Sequence, residues 1–280
     1  MVHLDPTDED HAYFLGLFQT DGHLRAADRN RGAATIELGV RDIAVLDAFV
    51  GLFAPGLRST VTTRVRRTNF AERHESATWK THAWSFRTEL QALGLPAGRK
   101  SGSVAPPAAP VHVRGYLRGL VDGDGSVGFT ARGYPFVGFT TASPALHAYF
   151  CEQVLDVTGV VRRSLANARD GVFNTVVMNE PAAALAEFLY PPDCLALPRK
   201  LAAAGTVARW RRPEGMRARS SPRRWTAAED RVVVRLPPAE AAAELGRTVA
   251  SVSTRRWRLT RTGPRDATDP PPTSTSHPSP

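Results

Sequence analysis

"FLGLFQTDGHL" (residues 14–24) and "YLRGLVDGDGSV" (residues 116–127) write one pattern twice, 103 positions apart. Aligned on their Asp-Gly ends, they match Gly16 with Gly119, Leu17 with Leu120, Asp21 with Asp124 and Gly22 with Gly125. Each is an apolar helical run that ends in an acidic turn. A glycine inside a helix costs roughly 1 kcal/mol against alanine. Gly16 and Gly119 fit that cost if a second backbone approaches closely, each helix being the partner of the other. The apolar residues Tyr13, Phe14, Leu17 and Phe18, and Tyr116, Leu117, Leu120 and Val121, then serve the core of each half.

Two such helices cross side by side at a pseudo-two-fold axis, which brings Asp21 and Asp124 together at its foot. Neighbouring carboxylates repel and need a compensating cation. An oxygen-preferring divalent ion, most simply Mg²⁺, answers that need. In a positively charged protein, a paired-carboxylate metal centre points to phosphodiester hydrolysis.

The chain of 280 residues suits two or three modules, and its 42% hydrophobic and 22% charged residues are ordinary for a globular protein. Its net charge of +9 favours a polyanion, with nucleic acid ahead of a membrane surface because no basic amphipathic anchor is visible. No apolar run has the roughly 18–20 residues of a membrane span. The acidic start "MVHLDPTDED" lacks the regions of a signal peptide. Cys151 and Cys194 have no ligand spacing and are expected to be structural thiols in a reducing cytoplasm, with a nucleoid-associated protein in view. His11, His23 and His147 likewise show no metal-ligand spacing. Of 36 basic residues, only Lys80, Lys100 and Lys200 are lysines.

Period and punctuation predict an α+β chain of two similar halves and a tail module. In the first half a helix ends near Asp21, strands follow near 24–26 and 35–40, a helix covers 42–53, strands cover 58–68 and 77–86, and a short helix covers 88–93. The second half repeats the order, with a helix over 114–121, strands near 126–131 and 136–141, a helix over 143–155, strands near 160–165 and 172–178, and helices over 181–189 and 199–210. Each half reads αββαββα. The boundaries are 1–95 and 114–210 for the halves, with linkers at 96–113 and 211–223. A three-helix module at 224–259 and a Pro/Ser/Thr-rich, disordered tail at 260–280 complete the chain.

The two motifs and the αββαββα order resemble the LAGLIDADG (DOD-type) homing endonucleases in their single-chain, two-motif form. The resemblance covers residues from about 10 to 210. It implies two pseudo-symmetric subdomains whose sheets form a saddle over the DNA major groove. It also implies a monomer that makes a double-strand break with a short 3′ overhang. The last acidic residue of each motif binds metal in that family, which maps onto Asp21 and Asp124. The carbonyls just before them, of Thr20 and Gly123, also tend to contact metal. Gln19 departs from the pattern where the second motif has Asp122; that position is not the family's metal ligand. The family further places a basic residue near the centre late in each half. Lys100 in "LGLPAGRK" and Lys200 in "CLALPRK" stand 79 and 76 residues after their aspartates. Solvated linker lysines are the plainer alternative. Arg99 and Arg199 precede them as phosphate contacts. Residue 1 is Met and the chain lacks a His-Asn end, so a free-standing endonuclease is expected rather than an intein.

In "RSTVTTRVRRT" (residues 58–68) one strand face reads Arg58, Thr60, Thr62, Arg64 and Arg66, which suits a sheet lying on double-stranded DNA and equally an ordinary solvated face. Arg132, Arg162 and Arg163 are the counterparts in the second half. The segment 224–259 resembles a Myb/SANT-like helix-turn-helix through Trp225, Glu229 and Asp230. There Arg247, Ser251, Thr254 and Arg255 would face a groove, Arg258 the backbone, and Trp225 and Trp257 the core. Two other functions stay open on the same fold: a catalytically silent DNA-binding transcription regulator and an RNA maturase.

Overall fold

The structure, a computed structural model, describes residues 4–25, 27–54, 56–67, 73–98, 100–216 and 225–262. Arg99 and the tail beyond 262 lie outside the described residues, as does most of the basic linker. The chain divides into two units, Met1–Glu214 and Gly215–Pro280.

In the first unit, the first half runs α1 (Glu9–Asp21), β1 (Gly22–Arg25), β2 (Ala33–Gly39), α2 (Ile43–Phe53), β3 (Ser59–Arg66), β4 (His74–Thr81) and α3 (Trp84–Ala92). Its strands form one antiparallel sheet in the order β1-β2-β4-β3. The Asp8 side chain starts α1 by accepting the Asp10 and His11 amides, the expected N-cap. Residues 84–86, expected to end a strand, instead open α3: Trp84 N–H bonds the Asn30 side chain and the Arg87 amide reaches Ala83 O. Phe14 anchors the core of this half, edge-on to Phe49, Phe53 and Trp79 at 4.8–5.3 Å between ring centres.

The second half runs α4 (Val113–Asp124), β5 (Gly125–Phe129), β6 (Pro135–Thr141), α5 (Pro144–Thr158), β7 (Phe173–Met178), α6 (Glu180–Leu189) and α7 (Pro198–Ala208). Ser143 caps α5, with Pro144 at its first position. The sheet is β5-β6-β7, so the strand expected at 160–165 is absent from the ladder. That segment is held beside β7 by side chains instead. Ser164 Oγ meets Thr175 Oγ1 at 2.9 Å and the His147 ring at 2.8 Å. The Asn167 N–H bonds Val172 O and closes the turn between them.

The halves meet along α1 and α4, whose facing residues are small. A Cβ on Gly16 would lie 2.2 Å from Tyr116 O, and one on Gly119 would lie 2.2 Å from Tyr13 O. Gly115 and Gly123 continue the stripe against Glu9 and Thr20. The expected glycine interface is present, and the two backbones touch at both motif glycines. At its start an ionic cluster ties the halves: Glu9 accepts from Arg114 and from the fully buried Arg118, which also bonds the carbonyls of Leu189 and Leu195.

The second unit contains α8 (Ala227–Arg235), α9 (Pro238–Leu245) and α10 (Val249–Thr262). Thr226 and Glu229 form a capping box, and Gly246 turns in the left-handed region at φ 59°. Val233, Ala241, Ala242, Val252 and Leu259 form its small core.

Candidate active site and nucleic-acid interface

Helices α1 and α4 both end at their aspartates, so the small-residue stripe decides where Asp21 and Asp124 go. Gly123 lies against Thr20 and Asp21: a Cβ there would stand 2.7 Å from Asp21 Oδ2. The Thr20 hydroxyl turns back to Leu17 O at 2.9 Å. Both aspartates reach solvent, yet the packed helix ends strip enough water to perturb them. Burial, then the neighbouring Asp124, raises Asp21 to about 6. Burial likewise raises Asp124, while Lys100 and Lys200 pull it the other way.

The two lysines end on equivalent atoms. Lys100 Nζ donates to Phe18 O at 2.5 Å, and Lys200 Nζ donates to Val121 O at 2.6 Å. Phe18 and Val121 are the same position of the repeat. Lys200 also holds Asp122 O at 2.6 Å and Gly125 O at 2.8 Å. Each ammonium thus caps the C-terminal carbonyls of a motif helix, where the macrodipole favours a cation. Burial lowers both lysines to about 8, against the pull of the aspartates. They are buried groups, not solvated linker side chains.

Sequence reasoning missed the residues that hold this arrangement. Tyr13 OH donates to Asp122 at 2.8 Å across the interface, and Tyr116 OH donates to Gln19 in the reverse direction. Asp122 also accepts from Tyr190 OH at 2.7 Å and from the Leu197 amide at 2.7 Å. Leu197 is the N-cap of α7, the helix that carries Lys200. Gln19 instead donates to Ala105 O. Tyr13 and Tyr116 occupy matching repeat positions, and that symmetry was the available signal.

A hard divalent ion fits the donor set. Two carboxylates and the last-turn carbonyls of Thr20 and Gly123 offer only oxygen. Among the described residues, no group of three or more His, Cys, Asp or Glu side chains is placed to hold a metal. Cys151 and Cys194 are unpaired in disulfides and half-buried, with thiols pushed up by burial.

The first sheet turns the expected face outward. Register sets Thr60 beside Lys80, Thr35 and His23, and Thr62 beside Thr78 and Glu37. Arg58, Arg64 and Arg66 are exposed, and Glu37 pairs with Arg64 and Arg66 on this face. Arg132 and Arg163 are exposed, whereas Arg162 is half-buried with its Nε enclosed, against expectation. Arg199 is committed to Asp42 at 3.2 Å rather than to a phosphate.

In the second unit two expected groove contacts face inward. Arg247 binds Glu229 and stacks on Trp225 with its guanidinium 3.9 Å from the ring centre. Arg255 binds Asp230 at 2.6–2.7 Å through two nitrogens. These pairs satisfy charge buried by the three-helix core. Trp257, expected in that core, is 58% exposed; Ser251 is half-buried, and Thr254 and Arg258 are exposed.

No protein-family model and no curated protein matches the sequence. Solved structures do. The homing endonuclease I-WcaI, bound to its DNA recognition sequence, is 12% identical over 73% of this chain and 88% of its own, with a TM-score of 0.54. Full-length DUF199/WhiA from Thermatoga maritima is 12% identical over 91% and 90%, with a TM-score of 0.45. Mesophilic variants of the homing endonuclease I-DmoI are 14% identical over 72% and 100%, with a TM-score of 0.47. No helix among the described residues is long and apolar enough to cross a membrane. Paired motif helices, two antiparallel sheets and the likeness to I-WcaI together give the chain the LAGLIDADG fold.

Proposed function

We propose that this protein is a site-specific endonuclease of double-stranded DNA, acting as a monomer. The observation that carries the reading is the meeting of Asp21 and Asp124 at the ends of two helices in backbone contact, with a buried lysine beside each. Asp21, Asp124 and the carbonyls of Thr20 and Gly123 would hold Mg²⁺, which when bound neutralises phosphate charge and lowers the pKa of water. Lys100 and Lys200 act electrostatically on both carboxylates, and their ammoniums would stabilise charge that develops on phosphate. The outward faces of the sheets, with Arg58, Arg64, Arg66, Arg132 and Arg163, would meet the duplex. The DNA-bound neighbour I-WcaI supports that partner. The exposed face of α10 is a second, smaller surface for nucleic acid through Thr254 and Arg258.

Incubation with Mg²⁺ and a plasmid carrying the cognate locus should give a linear product. EDTA or Asp124→Asn should abolish it. Equal cleavage by wild type and Asp124→Asn would refute the nuclease reading of this site.

One observation favours a second reading, a silent DNA-binding regulator: Lys200 Nζ directs its three hydrogen bonds to the carbonyls of Val121, Asp122 and Gly125. A regulator binds its duplex equally well in EDTA and in Mg²⁺, and leaves it whole.

A further inference from the structure

Each half carries an antiparallel sheet, of four strands in the first and three in the second, and the outward faces of the two sheets differ in chemistry. In the first sheet, register collects Lys80, Glu37, Arg64 and Arg66 with Thr60 and Thr62 on one face. In the second, the corresponding face holds Phe136, Val176 and Met178 beside Ser126, Thr140 and Asn174, the other two positions being glycine. None of these carries a charge. Val176 is 41% exposed.

The segment beside β7 extends this apolar face. Ser164 stands opposite Thr175, which places 163 opposite 176. Exposure then alternates, with Val161, Arg163 and Leu165 outward. Val161 is 58% and Leu165 92% exposed. Among the described residues, Arg163 stands between Val161 and Leu165 in that outer row, and it and the exposed turn residue Arg132 could meet phosphates. An exposed apolar cluster of this kind marks a contact surface.

In the major groove, one base feature is apolar: the C5-methyl group of thymine. We infer that the two halves read DNA by different chemistry. The first sheet uses charge and hydrogen bonds; the second uses apolar contact with thymine methyl groups through Phe136, Val176, Met178 and the neighbouring Val161 and Leu165. This rests on the reading of the sheets as the DNA surface.

The test selects duplexes from a randomised library with the full chain, without Mg²⁺ so that no strand is cut. The half-site whose preference shifts in Lys80→Ala lies under the first sheet. Thymines in the selected duplex are then replaced by uracil, one half-site at a time. In the half-site under the second sheet, each lost methyl contact should weaken binding about fourfold, the worth of one buried methylene. Val176→Thr keeps the strand shape and should reduce that sensitivity. Uracil in the other half-site should leave affinity unchanged. Equal sensitivity in both half-sites, or none in either, overturns the inference and leaves DNA binding intact. A library from which no duplex is enriched overturns both.

Discussion

Tyr13 and Asp122 are joined by a buried hydrogen bond of 2.8 Å that crosses from the first motif helix to the second. Tyr116 and Gln19 make the reciprocal bond. The interface is therefore polar at its centre, and the acidic position of each motif is gripped by the opposite half. Asp122 relays that grip to the start of α7 and so to Lys200. Gln19 relays its own to the loop at Ala105. The asymmetric letter of the repeat thus changes what is held, the start of α7 by Asp122 and the loop at Ala105 by Gln19.

Asp122→Asn should destabilise the protein by about 2–4 kcal/mol, because an amide nitrogen would face hydrogen-bond donors in a buried site. Asp122 accepts three donors and has its pKa raised mainly by burial. Chemical denaturation checks the loss. Gln19→Asn, which shortens the reach to Ala105 O, should cost less.

Gly16→Ala should destabilise by about 1–3 kcal/mol, since the new Cβ overpacks the interface 2.2 Å from Tyr116 O. Gly51→Ala is the control. Nothing lies within 4 Å of its Cβ position in α2, so it should stabilise by about 0.5–1 kcal/mol. Opposite shifts of the denaturation midpoint are expected.

Glu9 gives a pH signature. Burial alone would raise it, but hydrogen bonds from Arg114 and Arg118 overcome that and hold it at about 2, below the ordinary 4.5. A depressed carboxylate contributes stability above pH 4.5 and loses it as pH falls toward 2. Glu9→Gln should therefore cost up to about 3 kcal/mol at pH 7 and almost nothing near pH 2. Unfolding curves for both proteins across that window test it.

Asp21 carries the opposite sign. Raised to about 6, it takes up a proton more readily in the folded chain, so its ionisation lowers stability as pH rises from about 4 to 6. Metal binding at the proposed site would need the ionised form. Mg²⁺ affinity, followed by calorimetry, should fall as pH drops through 6. Asp21→Asn should stabilise the metal-free protein and abolish the further stabilisation by Mg²⁺. A metal-free Asp21→Asn protein that melts lower would show that the carboxylate is not strained by its surroundings.

Local pattern carried much of the fold. The caps at Asp8, Ser143 and Thr226 mark helix starts with side chains only a few residues from their partners. Alternation placed Arg58, Thr60 and Thr62 on one strand face because a pleated strand has a period of two. The same alternation misled at 160–165. Val161, Arg163 and Leu165 do alternate, but the backbone ladder to β7 is not formed and side chains hold the segment.

What the sequence by itself determined is the duplication. Two motifs 103 residues apart fixed the helix pair, its glycine contact and the placing of Asp21 with Asp124, because close packing at the glycines leaves the helix ends nowhere else to go. What only the tertiary structure decided is who satisfies each buried charge. Lys200 found the end of α4, Asp122 found Tyr13, Arg199 found Asp42, and Arg247 and Arg255 found Glu229 and Asp230. Burial makes an unpaired charge costly, so each takes the partner the packed fold brings within reach, and most of those partners lie many residues away, where no local period can point.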